Sequence, residues 1–174
     1  TLAEQRQDRL AEWGEHGRGL ADYYLAKTVE DLYTSEVDYH SDSRFVRGSR
    51  EILTAMSKTS ADTFMYLFTR NLRDTSERAP HAMELRYVFQ TLPEEAQELD
   101  HRISDLMSDY WVMFAKNGNP NRDGLPAWST YDADRQQYQM IGAEVRRDSK
   151  FRQQELDALD RYFAAIYDSA RPMR

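Results

Sequence analysis

Apolar residues fall into two patterns along this 174-residue chain, and each predicts a different element. The clearest pattern joins Ile103, Leu106, Met107, Tyr110, Trp111 and Phe114, spaced i, i+3, i+4, i+7, i+8, i+11. That spacing lays one apolar stripe along a helix. It stops at Asn117-Gly118, where glycine suits a left-handed cap and Pro120 blocks continuation. Leu156, Leu159, Tyr162, Phe163 and Ile166 predict a last helix packed on the body. At the other end, Thr1 to Lys27 is polar with scattered Leu10, Trp13, Leu20, Tyr24 and Leu25. One or two surface helices broken around Gly14 to Gly19 are expected there, continuing through Val29 to Tyr33. Asp42 stands before Phe45 and Val46, with Ile52, Leu53 and Met56 at helical spacing. Ser41 or Asp42 is therefore expected to cap a helix ending near Lys58.

The second pattern is Thr63 to Thr69, a continuous apolar and aromatic run with no helical phase. It fits a strand buried on both faces, as in a parallel sheet covered by helices. Tyr138 to Ile141 reads as another short strand, and Leu85 to Phe89 as an extended piece or a helical turn. The resulting alternation of helices and strands predicts an α/β fold, mostly helical with a few strands. A buried strand needs a neighbour on each edge. This chain hardly supplies them, so another polypeptide segment is expected to complete the sheet.

Composition narrows the function. The net charge is −7, which argues against phosphate-backbone binding, since that needs clustered Lys and Arg. No run of about 18 apolar residues is present, so neither a transmembrane helix nor a membrane role is expected. Thr1 to Leu20 is charged throughout, unlike a signal peptide. The chain contains no cysteine, which excludes disulfides and Cys-based zinc sites within it. The abrupt start without an initiator Met leads us to expect a processed, truncated or partial chain.

Candidate chemistry concentrates on one of four histidines. His16 and His40 lie in polar surroundings, and His101 precedes the strong helix. His81 follows Pro80 in the polar loop Arg70–Pro80, just past the buried strand, where α/β enzymes tend to place functional groups. Its imidazole suits proton transfer near neutral pH; a loop histidine bonded to its neighbours is the competing reading. His81 and Glu84 are too few to hold a metal, and no His-Glu-x-x-His exists. Glu84 is expected to orient the loop or to pair with Arg86 or Arg44. Met83, Tyr87 and Phe89 would either line a site near His81 or pack the core. The aromatic face of the 103–114 helix is expected to be core. No Gly-x-Ser-x-Gly, Walker motif, dinucleotide fingerprint or calcium loop occurs. No cofactor and no metal are expected.

Three segments together resemble the type-B carboxylesterase and cholinesterase family. Pro80-His81-Ala82-Met83-Glu84-Leu85-Arg86-Tyr87-Val88-Phe89 resembles its histidine segment. Tyr110 to Asn121 is similar to its Trp-x-x-Phe-Ala-x-x-Gly-x-Pro-Asn signature. Leu125 to Tyr131 matches its Trp-Pro-x-Tyr segment, with Ser129 in place of proline. Phe64 to Phe68 resembles the strand before the histidine, and Ser41-Asp42 with Phe45 matches an acidic turn more loosely. The likeness runs from about Asp42 to Phe163, and Thr1 to His40 matches only in helical character.

The resemblance implies an α/β-hydrolase fold and carboxylic ester hydrolysis by a Ser–acid–His triad in that chain order. On that order His81 matches the catalytic histidine, while serine, acid and oxyanion-hole glycines precede Thr1. Residues 1–174 are then expected to be a single C-terminal segment, with 1–60 a helical covering region and 61–174 the strand, the histidine loop and packing helices. The expected partners are the N-terminal portion carrying the serine and a small-molecule ester. The chain alone is expected to be incomplete and inactive. Two other functions stay open: a non-catalytic interaction or adhesion relative, and an independent binding domain.

Overall fold

The computed structural model describes residues 1–59, 61–72 and 78–170. They form two compact units, residues 1–52 with the helix from 152 onward, and residues 53–151.

The first unit is helical. Helix α1 (Leu2–Trp13) opens on a capping box between Thr1 and Glu4. It ends at Gly14, and a short 3-10 turn (Arg18–Leu20) leads into α2 (Ala21–Tyr24). The break sits where the glycines predict it. These helices are more than surface cover, because Trp13, Leu20 and Tyr24 are buried in a core with Tyr39, Leu156, Leu159 and Tyr162. Trp13 and Tyr24 meet the Tyr39 ring edge-on at 5.3 and 5.4 Å. Helix α7 (Gln153–Ser169) supplies the remaining wall.

The expected cap at Asp42 does not exist. Helix α3 (Leu32–Ser41) passes through a π turn at Asp42–Val46 into α4 (Arg47–Met56) without a break. Asp42 is 2% exposed and points inward. It accepts hydrogen bonds from the Tyr24 hydroxyl (2.9 Å) and from Arg152 Nε (2.6 Å). A carboxylate next to apolar residues imitates a cap, but its partner here lies 110 residues away, beyond the reach of local pattern. Arg152 also bonds Asp38 at 3.1 Å.

The second unit carries the sheet. Strand β1 (Tyr66–Phe68) pairs in parallel with β2 (Gln137–Ile141), which pairs antiparallel with β3 (Val145–Ser149). The order is β1-β2-β3, with Tyr66 opposite Gln139 and Phe68 opposite Ile141. Two of these strands match the sequence pattern. β3, rich in exposed Arg146 and Arg147, has no apolar signature to announce it. Helix α5 (Glu84–Val88) resolves Leu85 to Phe89 as helical. Helix α6 (Glu98–Asn117) ends on Gly118, whose φ of 69° is left-handed and whose N–H bonds Phe114 O at 2.8 Å. Ile103 and Met107 of α6 pack with Tyr87, Val88 and Ile141 to make this unit's core.

Candidate active-site segment

The segment carrying His81 leaves the C-terminal end of β1, and residues 73–77 of it lie outside the described residues. Asp100 fastens both of its ends. At the near end, Arg70 donates from Nε and Nη2 to the Asp100 carboxylate at 2.6 and 3.1 Å. At the far end, the Tyr87 hydroxyl donates to Asp100 Oδ1 at 2.7 Å. The Gln97 N–H completes the set at 3.0 Å, as half of the capping box that opens α6. Ser104 adds a hydrogen bond to the Tyr87 carbonyl at 2.7 Å.

Asp100 is 1% exposed, and burial by itself would raise its pKa. The hydrogen bonds from Arg70, Tyr87 and Gln97 outweigh burial and hold the carboxyl below its ordinary range. The same contacts push the Tyr87 hydroxyl up, through desolvation first and then through the anion it serves.

Between these anchors, Met83 N–H bonds Pro80 O at 3.1 Å, closing a turn around His81 and Ala82. Ala82 sits at φ 63°, a left-handed conformation that costs a residue with a Cβ about 1 kcal/mol. His81 itself is exposed, at the apex of this turn. Tyr87 is wholly buried and Met83 packs against the core, whereas Phe89 is 69% exposed. Of the three residues weighed as site lining, two are thus structural. Glu84 starts α5 and adds a charge near Tyr66, one cause of the raised pKa of that phenol after desolvation.

The other histidines lie apart from this turn in sequence and role. His16 is exposed. His40 lies on α3, its Nε2 3.1 Å from Arg9 Nη2 and 3.7 Å from Glu36. His101 falls inside the first turns of α6 rather than ahead of it, and is exposed. Among the described residues no group of three or more His, Cys, Asp or Glu could hold a metal ion. No helix among them is long and apolar enough to cross a membrane.

The sequence motifs around this segment meet in space. Asn121 donates from Nδ2 to the Trp128 carbonyl (2.8 Å) and accepts the Trp128 N–H (2.7 Å). Trp128 donates from Nε1 to the Met65 carbonyl just ahead of β1 at 2.9 Å. Its ring lies 5.1 Å from Tyr110 and 6.1 Å from both Tyr66 and Trp111. Phe64, Tyr66, Tyr110, Trp111, Phe114, Pro120 and Trp128 enclose a cleft of about 180 Å³. The sequence favours core packing over a ligand pocket for the aromatic helix face, and Tyr110, Trp111 and Phe114 line this cleft. Phe114 is in fact 48% exposed at the mouth of this cleft.

A small mixed sheet with helices packed on it is an α/β-hydrolase arrangement, and known structures share this fold. The carboxylesterase EST55 of Geobacillus stearothermophilus superposes with a TM-score of 0.75 at 24% identity, over 91% of this chain and 35% of that one. A thermophilic pNB esterase gives 0.71 at 22% identity, over 90% of this chain and 33% of that one. Residues 5–159 match the Carboxylesterase family. The chain belongs to that family. Carboxylesterase 1C of Rattus norvegicus is 31% identical over 147 residues, which is 79% of this chain and 27% of that protein. Liver carboxylesterase 1 of Oryctolagus cuniculus is 32% identical over 159 residues, 86% of this chain and 28% of that protein. The chain thus spans about 27% of the length of the curated relatives it matches. The family match begins at residue 5, well ahead of Asp42, where the motifs become legible.

Proposed function

We propose that residues 1–174 are the C-terminal segment of an α/β-hydrolase domain, and that His81 is the general base of its Ser–His–acid triad. Serine, acid and oxyanion donors come from polypeptide ahead of this segment, and the substrate is a small carboxylic ester. The observation that carries this reading is the combination at His81: an exposed imidazole at the apex of a turn, within a longer segment flanked by Arg70 and Tyr87, which both bond one buried carboxylate. A general base has to meet its hydroxyl partner at hydrogen-bond distance with little loss of orientation. Fastening at Arg70 and Tyr87 supplies the orientation, and exposure leaves the ring accessible to an incoming serine.

In the assembled enzyme His81 takes the proton of the serine hydroxyl as it attacks the ester carbonyl. It then returns that proton to the departing alcohol, and in the second half-reaction it activates water against the acyl-enzyme. The segment alone has no nucleophile elbow and turns over no ester. The test is His81→Ala in the enzyme assembled with its preceding polypeptide. Turnover of a p-nitrophenyl ester should fall by about 10⁴-fold with an unchanged melting temperature. Near-normal turnover would rule out the role.

A further inference from the structure

Five of the seven glycines have open space, among the described residues, where a Cβ would stand. Gly142 does not. It is buried, and it opens the turn between Ile141, the last residue of β2, and Val145, the first of β3. A Cβ there would press into Thr69 Oγ1, well inside van der Waals contact. Thr69 Cβ and the Arg70 nitrogen would stand at 3.5 and 3.9 Å, which is ordinary contact. The threonine oxygen alone is in the way.

That oxygen sits where the His81 segment begins. Thr69 is the first residue past β1, it is 6% exposed, and its N–H bonds the Ile141 carbonyl at 2.9 Å. Arg70 follows directly and donates to Asp100 at 2.6 and 3.1 Å, the carboxylate that also takes the Tyr87 hydroxyl. The end of β1, the β2–β3 turn and the near anchor of the segment thus meet at one close approach. An alanine at 142 has three ways to be accommodated. The threonine can rotate, but a β-branched side chain is stiff at χ1 and this one is packed. The turn can lift, which stretches the Thr69 hydrogen bond to Ile141. Otherwise the chain at Thr69 shifts by about 1 Å to restore ordinary contact, and carries Arg70 off its fork geometry on Asp100.

We propose that Gly142 is a positioning residue for His81. Its missing side chain lets the end of β1 lie against the β2–β3 turn. That seat fixes the path by which Arg70 reaches Asp100 and the segment sets out toward the imidazole. The proposal rests on the reading of His81 as general base, and adds a residue from a distant hairpin that controls its placement.

The test is a double-mutant cycle in the carboxylesterase assembled from this chain and the polypeptide that precedes it. Gly142→Ala should lower kcat for a p-nitrophenyl ester about 100-fold, the loss expected from a misplacement of about 1 Å, and leave KM within about threefold. The Met83 amide, whose bond to the Pro80 carbonyl closes the His81 turn, should exchange about 10-fold faster. On a Thr69→Ala background, where the obstructing oxygen is gone, the same substitution should change kcat and Met83 exchange by less than about threefold. A merely structural glycine would lower the melting temperature and leave kcat at saturating ester unchanged. A Gly142→Ala kcat within about threefold of the parent, a change in KM alone, or an equal loss on both backgrounds overturns the proposal. If Gly142→Ala does not fold, the double variant decides: it supports the proposal by matching Thr69→Ala and overturns it by failing to. His81→Ala is measured alongside. Normal turnover in that variant removes the general-base reading, and Met83 exchange then still decides whether Gly142 holds the turn. An inactive His81→Ala beside an unaffected Gly142→Ala defeats the positioning alone.

Discussion

The Tyr87 hydroxyl and the Asp100 carboxylate are 2.7 Å apart, in a site where both residues are almost completely buried. Arg70 reaches the same carboxylate, so one anion holds the start and the end of the His81 segment. Replacing Asp100 with alanine strands a largely buried guanidinium and a buried phenol. The expected loss is about 3 kcal/mol, in the range for breaking a buried charged pair. Urea denaturation checks the figure. Tyr87→Phe removes one hydrogen bond and keeps the ring, and should cost about 1 kcal/mol.

The same carboxylate predicts a pH dependence. Its pKa is held below the ordinary value in the folded state. Its stabilisation is therefore fully present above the unfolded carboxylate pKa of about 4, and is lost as pH falls through the folded value. Asp100→Asn should be less stable than the parent at neutral pH and should show a shallower loss of stability below about pH 4. Parallel acid titration curves for the two proteins would contradict this.

Asp42 behaves in the opposite sense. Burial raises its pKa, and the attraction of Arg152 only partly offsets that. The folded state thus takes up this proton more readily than the unfolded state, so this carboxyl favours folding as pH falls through its raised value. Arg152→Met removes the opposing charge and leaves Asp42 buried without it. Stability at pH 7 should drop by about 3 kcal/mol or more, with partial recovery on mild acidification. Thermal melts across that pH range provide the measurement.

Asn121 holds Trp128 by two hydrogen bonds, and Trp128 in turn anchors the approach to β1 through Met65. Asn121→Ala should cost about 2 kcal/mol. It should also loosen the aromatic cluster, which near-ultraviolet circular dichroism reports directly.

Much of this architecture was legible because it is local. The 3.6-residue phase of Ile103 to Phe114, the Gly118 cap and the apolar run at Thr63 to Thr69 each act within one turn or one strand. His81 stood out because a proline places it in a loop after such a strand. Asp100 did not stand out. It is one acidic residue among many, and its partners Arg70 and Tyr87 come from other elements. Only the Gln97–Asp100 spacing hints at its place in a capping box. Asp42 misled for the same reason, since its ion pair with Arg152 closes over a long stretch of chain. β3 carried no apolar alternation because none of its residues is buried, so neither face requires an apolar series.

The three tryptophans divide between the two units. Trp13 is buried in the helical unit, while Trp111 and Trp128 belong to the sheet unit. Each unit therefore contains its own optical reporter: Trp13→Phe leaves fluorescence to follow the sheet unit, and replacing Trp111 and Trp128 together leaves it to follow the helical unit.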